Sequence, residues 1–322
     1  MAAGILWLRM PLPLRLNHIN IYILDNGDGW TIIDTGYGDD ATLSLWDQLL
    51  QGMLAEKPVH HIILTHHHPD HMGAAGWLAR RTGAQLHMTR TEFLHAHLRA
   101  SGVFRAHADI EKLFLLAHGM PADIAHIVAD GGSGFMRVVQ PMPATFARLH
   151  DGDVIEAGGR RWTVMTGGGH SDEQAMLYSP DDHILLSGDQ VIASITPNLA
   201  ASYVEPGGSP VDDYIASLDH IKESVGDATL VLSGHKLPFI GIRERIDALV
   251  AHHEETFRKI CTAVERSPCQ CIDLVPLLYR PGLSPHMTGL ALAETLAHVN
   301  ALCRRGHVQI HDSNGSFILR YL

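Results

Sequence analysis

The sequence predicts an α/β fold, and three observations carry that prediction. Short apolar, β-rich runs recur through about the first 240 residues, many of them ending at a glycine or a tight turn. Segments with helical spacing stand between those runs. The most reactive side-chain types cluster just beyond the ends of the apolar runs. Strands buried in a core can deliver such side chains from their ends onto one rim while helices cover the sheets, the arrangement of an α/β sandwich.

Taken in order, the opening stretch to Leu24 is apolar but broken by Arg9, Pro11, Pro13 and Arg15. It lacks a basic start, an uninterrupted hydrophobic core and a small-residue cleavage site, so it reads as strand material rather than a signal peptide. Ile19 to Leu24 and Trp30 to Ile33, joined through Asn26-Gly27-Asp28-Gly29, predict a hairpin. Ala41 to Leu54 has helical spacing, Ile62 to Leu64 is a short buried strand, and Ala74 to Arg81 is a small-residue helix. Residues 90–130 are helical in pattern and form an insertion expected to roof a substrate pocket. Strands resume after Asp151-Gly152-Asp153.

A helix from Asp212 to Val225 precedes the strand Leu230-Val231-Leu232. Beyond Pro238 the composition changes, and residues 1–242 and 243–322 are expected to be separate domains. Arg243 to Arg266, Ile272 to Tyr279 and Gly289 to Arg305 predict three helices, the last closed by Gly306. Val308-Gln309-Ile310 and Phe317-Ile318-Leu319 flank Asp312-Ser313-Asn314-Gly315, a hairpin signal. Three helices followed by a hairpin predict a winged-helix-like C-terminal domain.

Composition narrows the function. The 322 residues are 46% hydrophobic and 18% charged, which fits a globular chain with a real core. A net charge of −11 argues against a general polyanion-binding surface. No run of about 18 apolar residues is present to span a membrane. Cys261, Cys269, Cys271 and Cys303 have neither common zinc-site nor thioredoxin spacing. They are expected to be reduced thiols, which points to the cytoplasm.

The chemistry concentrates in Thr65-His66-His67-His68-Pro69-Asp70-His71. Imidazole and carboxylate suit borderline divalent metals such as zinc. A turn after a strand can aim His66 and His68 at one point and Asp70 and His71 at another, which favours two neighbouring ions. With 24 histidines in the chain, a lone His-x-His carries little information, but the full string is far more specific. The same device recurs: Gly167-Gly168-Gly169-His170 follows one apolar run, Ser187-Gly188-Asp189 another, and Ser233-Gly234-His235 a third. Any one of these residues alone would ordinarily face solvent. His95, His97, His107 and His118 are tempting extra ligands, yet the expectation for them is exposed or packed helical histidines.

These residues, together with Ile32-Ile33-Asp34-Thr35-Gly36, resemble the metallo-β-lactamase superfamily in the family's order over roughly residues 14–240. The resemblance implies a four-layer αββα sandwich. It also implies that His66, His68 and His170 hold one ion, that Asp70, His71 and His235 hold a second, and that Asp189 bridges them. Asp34 would organise the neighbouring loop without being a ligand. Gly168-Gly169 stands where a proline often precedes the histidine, a change in the turn and not in the ligand.

Two ions, with zinc expected and iron or manganese able to use the same ligands, would lower the pKa of a shared water toward neutrality and polarise the scissile bond. Asp70 and Asp189 are the candidate catalytic carboxylates, with Asp70, whose second oxygen is freer, the better proton relay. Tyr203 is expected to pack in a pocket wall.

The expected reaction is hydrolysis of a small-molecule thioester, ester or lactone, similar to the glyoxalase II branch. A metal-dependent nuclease, as in the lactamase-like-protein-2 group, is the alternative. The acidic charge weighs against it, and residues 251–322 carry seven Lys/Arg against six Asp/Glu, a net of +1. A non-hydrolytic metal-binding or redox role is the third reading; its redox form normally adds a flavin domain, for which there is no sequence here. The C-terminal domain is assigned to structure or homodimerisation over nucleic-acid binding.

Overall fold

The structure is a computed structural model and describes residues 2–13, 16–130 and 137–322. The N-terminal half runs β1 (Ile5–Pro11), β2 (His18–Asp25), β3 (Trp30–Ile33), α1 (Asp40–Gln51), β4 (Val59–Ile63), α2 (Pro69–Met72), α3 (Ala75–Thr82), β5 (Gln85–Met88) and α4 (Arg90–Ala100). Three further helices come next: α5 (Val103–Ala106), α6 (Ala108–Ala117) and α7 (Ala122–Asp130). Strands then resume as β6 (Ala147–Arg148), β7 (Val154–Ala157), β8 (Arg160–Gly167), β9 (Gln174–Ser179) and β10 (Ile184–Gly188). The chain ends with α8 (Pro210–Ser224), β11 (Leu230–Ser233), α9 (Ile242–Arg266), α10 (Cys271–Leu278), α11 (Pro285–Arg304), β12 (Val308–Ser313) and β13 (Ser316–Tyr321).

Two sheets carry the N-terminal architecture. The first has the order β1-β2-β3-β4-β5-β6 and the second β11-β10-β9-β8-β7. Strand β2 shows why they stack. Its residues from His18 to Leu24 are all buried, and they alternate between two cores. Ile19, Ile21 and Ile23 join Trp46, Leu78, Met72 and Phe93 beneath the helices. Tyr22 and Leu24 join Trp162, Val164, Leu177 and Leu186 between the sheets. A period of two with both faces apolar is the signature of a strand covered on both sides. The α/β expectation, with helices over paired sheets and a helical C-terminal region, is met.

Strand direction determines which strand ends share an edge. Strands β8 and β10 both pair antiparallel with β9, and β11 pairs parallel with β10. These three strands therefore run the same way, and their carboxyl ends lie along one edge of the second sheet. In the first sheet, β4 runs parallel to β3 and β5.

The chain clusters into two compact units. One comprises Met1–Ser101, Gly134–Pro197 and His220–Arg245; the other comprises Gly102–Ser133, Asn198–Asp219 and Ile246–Leu322. In the second unit, α10, α11 and the β12–β13 hairpin follow α9. Helix α11 starts four residues earlier than the apolar pattern suggests. Ser284 caps it by accepting from the Met287 amide, with Pro285 at the first helical position, a combination that supplies an acceptor and a preset φ. Gly306, at φ +74, closes it. Asn314 and Gly315 both have positive φ between the paired Ser313 and Ser316, the two-residue turn that matches strand twist. All four cysteines are free. No helix among the described residues is long and apolar enough to cross a membrane.

Two buried histidines join α9 to α11, with His253 Nδ1 lying 3.0 Å from His298 Nε2. His298 Nδ1 is 2.8 Å from the Glu294 carbonyl. Burial, then His298 and His252, push His253 down to about 3. Burial, with His252 and Arg305 alongside, pushes His298 down to about 4. Both folded values lie below the ordinary 6.5. The unfolded chain therefore takes up protons first, and stability falls as pH drops from about 6.5 towards about 3. We expect His253→Leu to lose stability at pH 7.5, by about 1–3 kcal/mol for the stranded partner. The variant should then lose less than the wild type on going to pH 5.5 in thermal melts. An equal loss in both proteins would remove the pair as an acid-sensitive element.

Candidate metal centre

Every residue proposed as a ligand from the sequence stands just past the carboxyl end of a strand. His66, His68, Asp70 and His71 follow β4, His170 follows β8, Asp189 follows β10 and His235 follows β11. The structure brings all seven together. His66, His68 and His170 form one group and Asp70, His71 and His235 another, while His66, His71 and Asp189 form a third between them. Within each group the donor atoms lie within 4.8 Å of one another.

The imidazole nitrogens converge closely, with His68 Nδ1 3.0 Å from both His66 Nε2 and His170 Nε2. His235 Nε2 is 3.2 Å from Asp70 Oδ2. Asp189 Oδ2 lies 3.7 Å from His170 Nε2, 3.4 Å from His71 Nε2 and 3.3 Å from His235 Nε2, so it faces members of both outer groups.

The far sides of the rings are held by protein. His71 Nδ1 is 2.8 Å from Asp34 Oδ2, and Asp34 Oδ1 accepts from the Thr65 amide at 2.9 Å. Asp34 adopts φ +59, a left-handed conformation that turns its carboxylate back onto this loop. His66 Nδ1 is 2.9 Å from Thr65 Oγ1, and His235 Nδ1 is 2.9 Å from the His18 carbonyl. Asn20 on β2 donates to the Ser233 and Lys236 carbonyls, clamping the His235 turn from both sides. Gln174 Oε1 accepts from the Asp189 amide, and Gln190 joins Gln174 to the Gly168 carbonyl, tying the Asp189 turn to the glycine turn before His170. With one ring nitrogen fixed, the other is aimed into the cluster, the usual preparation of a histidine for a cation.

Charge follows the same logic. Burial, then the surrounding imidazoles, hold His66 and His68 well below the ordinary histidine value, leaving neutral lone pairs. Burial opposes charge on His235, but Asp189 and Asp70 override it and raise the ring to about 10. Burial likewise opposes charge on His71, and Asp189, Asp34 and Asp70 raise it well above its ordinary value. Against the effect of burial, His235 and His71 hold Asp189 far below the carboxylate range. Asp189 Oδ1 is buried and accepts no hydrogen bond. One buried and one partly buried carboxylate, Asp189 and Asp70, facing five imidazoles draw positive charge, and N and O donors in this mixture suit divalent cations.

The other histidines stay outside, and none of His95, His97, His107 and His118 belongs to a cation-competent group among the described residues. His95 Nδ1 pairs with Asp172 at 3.2 Å, and His97 rests on Phe93. His118 is buried against Phe114 and Phe317. Tyr203 belongs to the second unit, edge-on to Phe104.

Sequence reasoning missed Glu92. This glutamate on α4 is fully buried and lies 2.6 Å from His67 Nδ1. Its partners, His67, Ser171 and Glu173, are far away in sequence, so only the fold reveals it.

Comparison with known proteins gives the family of the chain and several relatives. The sequence profile of the metallo-beta-lactamase superfamily matches residues 14–235, and that of the metallo-beta-lactamase-like C-terminal domain matches residues 257–321. A probable metallo-hydrolase from Bacillus subtilis (strain 168) is 23% identical over 310 residues, covering 92% of this chain and 91% of that one. The human acyl-coenzyme A thioesterase MBLAC2 is 28% identical over 242 residues, covering 72% of this chain and 78% of its own. The crystal structure of a beta-lactamase domain protein from Burkholderia ambifaria superposes with a TM-score of 0.91 at 34% identity, covering all of this chain and 93% of the other.

Gly234 gives a direct test of how tightly the centre is built. A Cβ there would fall 2.5 Å from Asp189 Oδ1 and 2.8 Å from His71 Cε1. Gly234→Ala is expected to cost about 1–3 kcal/mol by overpacking, read from the chemical denaturation midpoint. An unchanged midpoint would show that the turn yields without disturbing Asp189.

Proposed function

The chain belongs to the metallo-beta-lactamase superfamily, and from that premise we propose that it is a dinuclear metal-dependent hydrolase of a small-molecule thioester, ester or lactone. One observation carries the reading: two three-residue groups of donors share a rim, with the Asp189 carboxylate facing both. His66, His68 and His170 would hold one ion, Asp70, His71 and His235 the other, and Asp189 would reach both. Zinc is the expected metal. When bound, such ions supply an activated water and an electrophilic contact for the scissile carbonyl.

The residues themselves do the rest. Asp34, Thr65 and the His18 carbonyl keep the rings in register, so little reorganisation is needed when charge develops. Asp70 keeps 18% of its side-chain surface exposed against 8% for Asp189. Its carboxylate is therefore the one placed to take the proton lost by the attacking water and return it to the leaving group as the acyl bond breaks.

Thioesters are favoured because relatives named as acyl-coenzyme A thioesterases match 72% of this chain. The nuclease alternative needs several convergent cations. Arg305, in the segment where they would be sought, is already paired with Asp212 and Glu254 and lies over Phe257.

Two measurements test the proposal. Asp189→Ala should lose metal, read by elemental analysis, together with all turnover, whereas His95→Ala should keep its full metal content. An active Asp189→Ala enzyme would remove the shared-carboxylate assignment. Metal-replete protein should hydrolyse an acyl-coenzyme A thioester and leave single-stranded RNA intact, with the Asp189 variant as the blank. RNA cleavage that vanishes in that blank would replace the acyl-hydrolase reading with the nuclease one.

A further inference from the structure

We propose that Glu92 is a positioning residue for one ion of the pair, setting the spacing between His68 and His170 while the other ion's ligands are held without it. The inference rests on the dinuclear reading above.

Glu92 is a carboxylate with no exposed surface. It belongs to none of the cation-competent groups, and an unpaired buried charge would be severely destabilising. Instead it is saturated. Oε2 accepts from the His67 amide at 3.0 Å and lies 2.6 Å from His67 Nδ1. Oε1 accepts from the Glu173 amide at 2.8 Å and from the Ser171 hydroxyl. One oxygen therefore grips the residue between His66 and His68, and the other grips the residues just after His170.

His66, His68 and His170 come from two loops about a hundred residues apart in sequence. Their donor atoms sit 3.0 Å apart across that gap, between His68 Nδ1 and His170 Nε2. Glu92 spans the same gap from behind. A second link supports the span: Glu173 accepts from the Thr91 amide through Oε2 at 3.0 Å, and its carbonyl accepts from the Thr89 hydroxyl at 2.8 Å. The amino-terminal end of α4 is thus fastened to the His170 turn at Thr89 and Thr91 as well as at Glu92.

The second donor group is secured from elsewhere. Asp34 holds His71, and the His18 carbonyl holds His235. Asn20 fixes the turn carrying His235. None of these contacts involves α4. Outer partners of metal ligands typically contribute 10- to 100-fold in metal affinity, and here that contribution would fall on one ion.

The test is stepwise zinc titration of metal-stripped protein against a competing chromophoric chelator, with Co2+ absorption spectra of the same samples. Wild type, Glu92→Gln, Glu92→Ala and Ser171→Ala are compared. Glutamine keeps the shape and can still accept from His67 while the Ser171 hydroxyl reverses, but its amide cannot accept from Glu173. The expected order of weakening is therefore Glu92→Ala, then Glu92→Gln, then Ser171→Ala. The weakest variant should lose about 10- to 100-fold at one ion. The other ion should hold its affinity, and only one set of Co2+ bands should shift.

Equal weakening of both ions, or no change in a variant that melts cooperatively, would overturn the assignment. Should Glu92→Ala fail to fold, the Gln and Ser171 variants decide it on the same criterion. Wild-type protein that binds fewer than two ions would overturn the dinuclear reading itself, a result separable from any effect of Glu92.

Discussion

Burying Asp189, and most of Asp70, among five imidazoles costs free energy, and much of the first unit is arranged to offset that cost. A buried polar group is tolerable only when its remaining valences are met. Here they are met from several elements at once. Asp34, Thr65 and the His18 carbonyl answer for the far sides of three rings. Glu92, Asn20 and the Gln174–Gln190 pair answer for the loop backbones. The outcome is a cluster whose rings are oriented in advance and whose carboxylates draw positive charge onto His235 and His71.

The sandwich makes that arrangement possible. Three parallel carboxyl ends on one edge of the second sheet deliver His170, Asp189 and His235 without any long loop. Strand β2 contributes Asn20, which reaches across to the His235 turn, while its neighbours Ile19 and Ile21 anchor the same strand in the core beneath the helices. Packing and site are thus joined within a few residues of one strand.

Much of this was legible in the sequence. The His-rich string and the three Gly-to-ligand turns are local signals, each a few residues long, and local signals survive in a one-dimensional reading. The hairpin at Asn314-Gly315 and the terminating Gly306 were legible for the same reason, because positive φ selects particular residues. Helix α11 was read short at its start, since Ser284 and Pro285 signal a boundary only through capping and not through apolar spacing.

Glu92 was not legible. A glutamate inside a helical pattern beside Phe93 reads as a solvated position, and nothing nearby in sequence marks it as buried. Its partners are His67, Ser171 and Glu173, up to 81 residues away. The same holds for the grouping of residues 102–133 and 198–219 with the C-terminal segment, which no local pattern announces. The sequence by itself determined which residue types carry the chemistry and which strand ends present them, because ligand identity and backbone turn preference are properties of short segments. Asp34 apart, tertiary structure alone decided which carboxylates and carbonyls stand behind the ligands, because those contacts depend on the stacking of two sheets and a helix drawn from distant parts of the chain.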